Sequence, residues 1–183
     1  MHIARLTMYR ISPRRNAVCV ALLCLATALN AQAGKWKTYK YPADGFRASF
    51  PSEPKLERNQ KEAKSGAILM NSYCAQVSTT YLCAAVIDQG PEATGLTPET
   101  LLNRTKLGVL AAPKARKLSQ REIDLDGHKG VEIETASDTV HVFTRIYLVD
   151  QTIYQTLVTF PVDGSYTDTN RFLDSFKWIA RTR

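Results

Sequence analysis

Apolar runs broken by short polar pairs dominate the stretch from Gly127 to Pro161, GHKGVEIETASDTVHVFTRIYLVDQTIYQTLVTFP. The run reads as three consecutive antiparallel strands. Ser137-Asp138 and Asp150-Gln151 are short polar breaks between segments dense in β-branched and aromatic residues, the usual hairpin signal. Centring the second hairpin on Asp150-Gln151 sets Tyr147 opposite Tyr154 and Leu148 opposite Ile153. Alternation then gives one face with Val140, Val142, Ile146, Leu148, Ile153 and Leu157. The other face carries Phe143, Tyr147, Tyr154, Val158 and Phe160, with His141 and Arg145 among them. Both faces are largely apolar, so cover is expected on both, and helices are the available cover. The strand before them is more polar. Val131, Ile133 and Thr135 face one way and His128, Glu132 and Glu134 the other, as expected nearer a sheet edge.

The flanking segments supply the rest of an α+β domain. Residues 35–41 form a candidate strand anchored by Trp36 and Tyr39, and Pro42-Ala43-Asp44-Gly45 is a turn. Residues 46–50 return as a strand, stopped by Pro51 and Pro54, and residues 55–62 suit a short polar edge strand. Lys64-Ser65-Gly66 turns the chain into a hairpin of strands at 68–74 and 81–87. Thr97 can cap a helix with Pro98 at its first position and Glu99 in its first turn. Leu101, Leu102, Thr105, Val109 and Ala112 share one side of that helix; Gly108 weakens it and Pro113 ends it. Residues 117–125 lead as a strand into Asp126-Gly127, a strong hairpin turn. Residues 166–176 predict a last helix with Phe172, Leu173 and Phe176 inward, after which Trp178 and Ile179 tuck against the sheet.

The N-terminus reads as a cleavable secretory signal over residues 1–33. Arg5, Arg10, Arg14 and Arg15 form a basic start, residues 17–29 carry no charge, and Ala31-Gln32-Ala33 offers small residues for cleavage before Gly34. The apolar run is shorter than the about 20 residues a bilayer span needs. A lipid anchor at Cys19 or Cys24 is disfavoured by the bulky Val18 and Leu23 before them. Residues 34–183 are then expected to be a single exported domain, periplasmic or secreted, with no stable membrane span.

Charge narrows the partners. The four leader arginines leave and every acidic residue stays, so the formal charge falls from +7 to +3. Basic residues thicken at Lys114, Arg116, Lys117 and Arg121. They suit either a patch for anionic lipid headgroups or an acidic partner, or simply a solvated strand and loop, and the last is the commoner case. Nucleic acid is not expected for an exported chain without a nucleic-acid motif.

After cleavage two cysteines remain, Cys74 and Cys83. In an oxidising compartment such a pair usually closes. Placing them opposite each other centres their hairpin between Ser78 and Thr79, and directly opposed residues lie within disulfide reach. Their spacing fits neither a Cys-x-x-Cys redox couple nor a zinc pair.

Asp44-Gly45-Phe46 running into Ser49-Phe50-Pro51, the Gly127 to Glu134 strand followed by Arg145-Ile146-Tyr147, Ile153-Tyr154, and Arg171-Phe172-Leu173-Asp174-Ser175-Phe176 together resemble small exported bacterial domains of the Mog1/PsbP-like fold. The resemblance implies a mostly antiparallel sheet flanked by helices, an α/β/α sandwich, and accessory or docking roles. It carries over no catalytic residues, and fold does not fix function.

No Walker loop, dinucleotide glycine pattern, His-Glu-x-x-His, Gly-x-Ser-x-Gly or EF-hand loop is present. No cofactor or metal is expected. His128 and His141 fall on opposite faces of the expected register, or at least do not converge. His128 with Glu132 could hold a cation, but a solvated polar face is commoner. A hydrolytic trio of Ser137, Asp138 and His141 is imaginable, though residues close on one hairpin rarely reach the needed geometry. Asn103-Arg104-Thr105 matches the glycosylation triplet but lies in the expected helix. The best candidate is a surface: Phe143, Arg145, Tyr147 and Tyr154 on one face, if the C-terminal helix leaves it open. The expectation is therefore a non-enzymatic binding or accessory module of the cell envelope, meeting an unknown protein or envelope component. An envelope hydrolase is the alternative, and a thiol redox protein a third.

Overall fold

The computed structural model describes residues 35–182, apart from 64 and 65. The expected leader lies outside the described residues. In chain order the strands are β1 (Lys37–Tyr41), β2 (Phe46–Phe50), β3 (Lys55–Ala63), β4 (Gly66–Val77) and β5 (Thr80–Asp88). A 3-10 turn (Gly90–Ala93) and helix α1 (Pro98–Leu110) follow. Then come β6 (Arg116–Leu125), β7 (His128–Ala136), β8 (Val140–Val149), β9 (Thr152–Pro161), α2 (Thr169–Ser175) and β10 (Lys177–Trp178).

Seven strands form one antiparallel sheet in the order β3-β4-β5-β9-β8-β7-β6. The β8–β9 register places Tyr147 opposite Tyr154 and Leu148 opposite Ile153, as the alternation predicts. The β6–β7 turn is Asp126-Gly127, both with positive φ (54° and 88°), the backbone a two-residue hairpin needs. Both sheet edges are polar. Every described side chain of β3 from Lys55 to Gln60 is exposed, and β6 carries a bulge between Lys117 and Ser119. Charge and irregularity both discourage edge-to-edge pairing.

A single β-layer was expected, and the structure corrects this. β1, β2 and β10 make a separate three-stranded antiparallel sheet. Pro51 and Pro54, which lack an N–H to donate, break the chain between β2 and β3. Lys177 and Trp178 then pair with Arg47 and Phe46 instead of merely packing on the large sheet.

The large sheet has two unequal faces. On the inner face, Leu82, Val86, Tyr147, Tyr154, Val158 and Phe160 meet Phe46 and Phe50 of β2 and Phe172, Leu173 and Phe176 of α2. On the outer face, Val131, Ile133, Ile146, Leu148 and Ile153 pack under Leu101 of α1. Thr97 caps α1, its hydroxyl accepting from Thr100 N–H at 3.2 Å. The expected cover is present on both faces and is fuller on the inner one. α1 packs on β7 and β8, while Val140, Val142 and Leu157 stay half-buried. Its 13 residues span only about 20 Å, whereas seven strands at about 4.8 Å spacing extend roughly 30 Å.

Cys74 and Cys83 are paired in register and bonded, with Cα atoms 4.2 Å apart, on the outer face. The linked residues are nine apart in sequence, which in the chain-entropy model corresponds to about 2.5 kcal/mol. The double variant Cys74→Ser/Cys83→Ser should lose about that much in urea unfolding. A loss below about 0.5 kcal/mol would mean the hairpin is already ordered in the unfolded chain.

Candidate functional site

Phe143, Arg145, Tyr147 and Tyr154 do share one face, but it is the covered one. Tyr154 is 1% exposed, Tyr147 4% and Arg145 8%, and Phe143 is half-buried in the same cluster. Phe176 at the end of α2 stacks on Tyr147 with centroids 5.8 Å apart. The four residues therefore belong to the interior and present no binding surface. The cause is the length of the C-terminal segment, which brings both α2 and β10 across this face.

Arg145 is buried with partners. Its Nε donates to Glu132 Oε2 and its Nη1 to Asp174 Oδ1, each at 2.6 Å. Arg121 Nε donates to the second Glu132 oxygen at 2.6 Å. Burial alone would raise the Glu132 carboxyl, but hydrogen bonds from Arg121 and Arg145 outweigh it and hold the group below its ordinary value. Burial likewise opposes the charge on Arg145, and the bonds to Glu132 and Asp174 more than restore it. This network ties α2 to β6, β7 and β8, a structural role.

The histidines occupy one face, which corrects the expectation of opposite faces. Glu134 and Glu132, on the His128 side of β7, pair with Phe143 and Arg145, on the His141 side of β8. The two imidazoles still do not meet, because they sit at opposite ends of β7. His128 lies edge-on to Trp178, and His141 Nε2 is 2.7 Å from Glu134 Oε1 and stacked on Phe143. Glu132 is engaged by two arginines and does not join His128 in a cation site. The imagined hydrolytic trio does not assemble either. Ser137 Oγ accepts from Val140 N–H, Asp138 pairs with Lys114 at 3.5 Å, and His141 turns to Glu134. No group of three His, Cys, Asp or Glu side chains suited to a metal occurs among the described residues.

What remains open on the outer face lies beside α1, since Ser72, Ala85 and Thr144 are buried and Ala93 of the 3-10 turn joins the cover. A hollow of about 400 Å³ lies there, lined by Arg104, Thr105, Gly108 and Val109 of α1, Gln155 of β9, and Gln89. Gln155 stands in register between Ala85 and Ile146, so an amide interrupts an otherwise apolar floor. Gly108 leaves the helix wall low, since a Cβ there would meet nothing within 4 Å. The Thr105 hydroxyl donates to Leu101 O at 3.1 Å, which leaves its oxygen able to accept. The arrangement sets two amides and a hydroxyl beside Arg104 on an apolar base, suited to holding polar groups. A second hollow of about 130 Å³ lies by Asp44, Asn71, Asp88 and Arg181. Its carboxylates already serve the fold: Asp44 accepts from Tyr73 and Asn71, and Asp88 from Gly90 N–H.

Apart from Arg104 and Thr105 in the glycosylation triplet, none of the trough residues stood out in the sequence. Two signals were available: a glycine inside a well-capped helix, and a glutamine between Ile153 and Leu157 on a buried face. Both mark gaps in the packing.

No protein-family model and no curated protein sequence matches the chain. Solved structures do match in shape. The solution structure of cyanobacterial PsbP (CyanoP) from Synechocystis has a TM-score of 0.51 at 12% identity, over 85% of this chain and 99% of that one. A Pseudomonas aeruginosa protein of unknown function, described as a putative regulator, scores 0.36 at 8% identity, over 69% and 83%. A Bacteroides thetaiotaomicron protein scores 0.37 at 12% identity, over 80% and 49%. At such identities the first supports a PsbP-like α+β fold, and the other two carry no argument.

Proposed function

We propose that this chain is an exported, non-enzymatic binding or accessory module of the cell envelope, and that it holds its partner in the trough beside α1. The observation that carries the reading is the gap in the outer-face cover beside α1, a hollow of about 400 Å³ bordered by Arg104, Thr105, Gly108 and Gln155. That volume lies within the range of binding clefts. The export half of the reading draws on the leader-like N-terminus and on the Cys74–Cys83 bond, which suits an oxidising compartment. Among the described residues no helix is long and apolar enough to cross a membrane. The hydrolase alternative finds less support, because His141 is occupied by Glu134 and His128 lies against Trp178.

Position 108 tests the trough without endangering the fold. Gly108→Ala should raise stability by about 0.5–1 kcal/mol, since alanine costs a helix less and the new methyl meets open space. Gly108→Leu should also fold, but its side chain would occupy the hollow. In recovery of partners from native envelope extract, the alanine variant should match wild type. The leucine variant should recover at least about tenfold less, the loss expected when a filled pocket forfeits its contacts. Equal recovery by all three would remove the trough from consideration.

A further inference from the structure

We infer that the tip formed by the end of α1, the loop at 111–115 and the start of β6 docks on an anionic phospholipid bilayer. Between Glu99 and Arg121 the chain has five basic residues, Arg104, Lys106, Lys114, Arg116 and Lys117, and no acidic one. The rest of the exported chain carries a formal charge of −2, so the positive charge of the domain is concentrated in this segment. The fold keeps the segment together at one end of the sheet. Arg116 opens β6 opposite Ala136, and Lys114 Nζ reaches Asp138 in the β7–β8 turn at 3.5 Å. That single carboxylate offsets Lys114. Lys106, Arg116 and Lys117 have no ion-pair partner among the described residues, whereas Arg121 is committed to Glu132 on the inner face.

Apolar groups are exposed among these cations. Leu107 in the last turn of α1 is 61% exposed and Leu118 at the β6 bulge is 46% exposed. Ala111, Ala112 and Pro113 between them are exposed as well. Cations alone would suit any polyanion. Cations interleaved with exposed leucines match a bilayer interface, where headgroup phosphates meet the charges and side chains enter the acyl boundary. Each signal is weak alone, and surface anchoring ordinarily needs two. The chain would lie on the bilayer, with the trough of α1 free beside it.

The test is co-sedimentation of the protein, purified after export, with phosphatidylcholine vesicles with and without phosphatidylglycerol. Intact mass would record whether any leader is retained. Binding should require phosphatidylglycerol and fade as salt rises to about 0.5 M. Each of Lys106→Gln, Arg116→Gln and Lys117→Gln should weaken binding about fivefold, and the triple variant about a hundredfold. A triple control of equal charge, Lys40→Gln/Lys55→Gln/Lys129→Gln, should bind as wild type. Equal binding to both vesicles, or equal loss in the two triple variants, would overturn the inference. So would competition by glycerol phosphate at the concentration of the lipid headgroups, which would place the affinity in free phosphate.

Discussion

Glu132→Ala should destabilise the fold by about 3 kcal/mol, a larger loss than any other single charge is expected to cause. The reason lies in what it leaves behind. Arg145 is 8% exposed and cannot shed its proton at any accessible pH. Without Glu132 it keeps only Asp174, a mostly exposed carboxylate on α2. Truncating Arg145 is a different experiment. Glu132 would retain Arg121, and Arg145→Met would restore apolar contact beside Tyr147, so a loss of about 1–2 kcal/mol is expected. Urea unfolding at neutral pH, followed by the fluorescence of Trp36 and Trp178, separates the two variants. If Arg145→Met proved the worse, the network would be held by packing of the arginine stem.

The same carboxylate gives the fold an acid limit. Its folded pKa is depressed, because the bonds from Arg121 and Arg145 outweigh the effect of burial. A group of this kind contributes stability above its unfolded value and loses it as pH falls through the lower folded value. The difference between wild type and Glu132→Gln should therefore be constant down to about pH 5 and shrink below about 4.5. A difference that stays level to pH 3 would contradict the assigned partners.

Much of this architecture is written in local pattern. The β8–β9 register and the opposed cysteines follow from turns whose residues leave little choice, and the start of α1 follows from Thr97-Pro98-Glu99. Elements that depend on distant partners were less legible. Residues 46–50 look like any half-buried strand. Only the pairing of Lys177 and Trp178 with Arg47 and Phe46 shows that they belong to a second sheet. The same blindness misplaced the site. Tyr147 and Tyr154 have the composition of an interface, and sequence alone cannot say that Phe46 and Phe176 will lie over them. The trough was illegible for the converse reason. It lies beside α1 where the sheet is not covered, and its residues, Gln89, Gly108 and Gln155, have no chemistry to announce.

That covering layer turns on one residue. Phe176 ends α2 and immediately precedes β10, so it joins the helix to the small sheet. Its ring stacks on Phe46 of β2 at 5.4 Å and on Tyr147 of β8 at 5.8 Å, and tilts against Tyr154 of β9 at 6.0 Å. Phe176→Ala removes a side chain that is 1% exposed and leaves a cavity between two sheets. Neither wall can easily collapse, since β2 is fixed by pairing to both β1 and β10. The expected loss is about 3–5 kcal/mol, and Phe176→Leu, which keeps most of the volume, should lose about 1–1.5 kcal/mol. The alanine variant should also weaken the near-ultraviolet circular dichroism of the aromatic stack while the far-ultraviolet spectrum persists. Leu101→Ala on α1 makes the contrast: it opens a cavity in the outer-face cluster and should leave that aromatic signal intact. If Phe176→Ala cost no more than Phe176→Leu, β10 and α2 would be resting on the large sheet instead of being anchored to it, and the inner-face cover that buries Arg145 and Tyr147 would need another source.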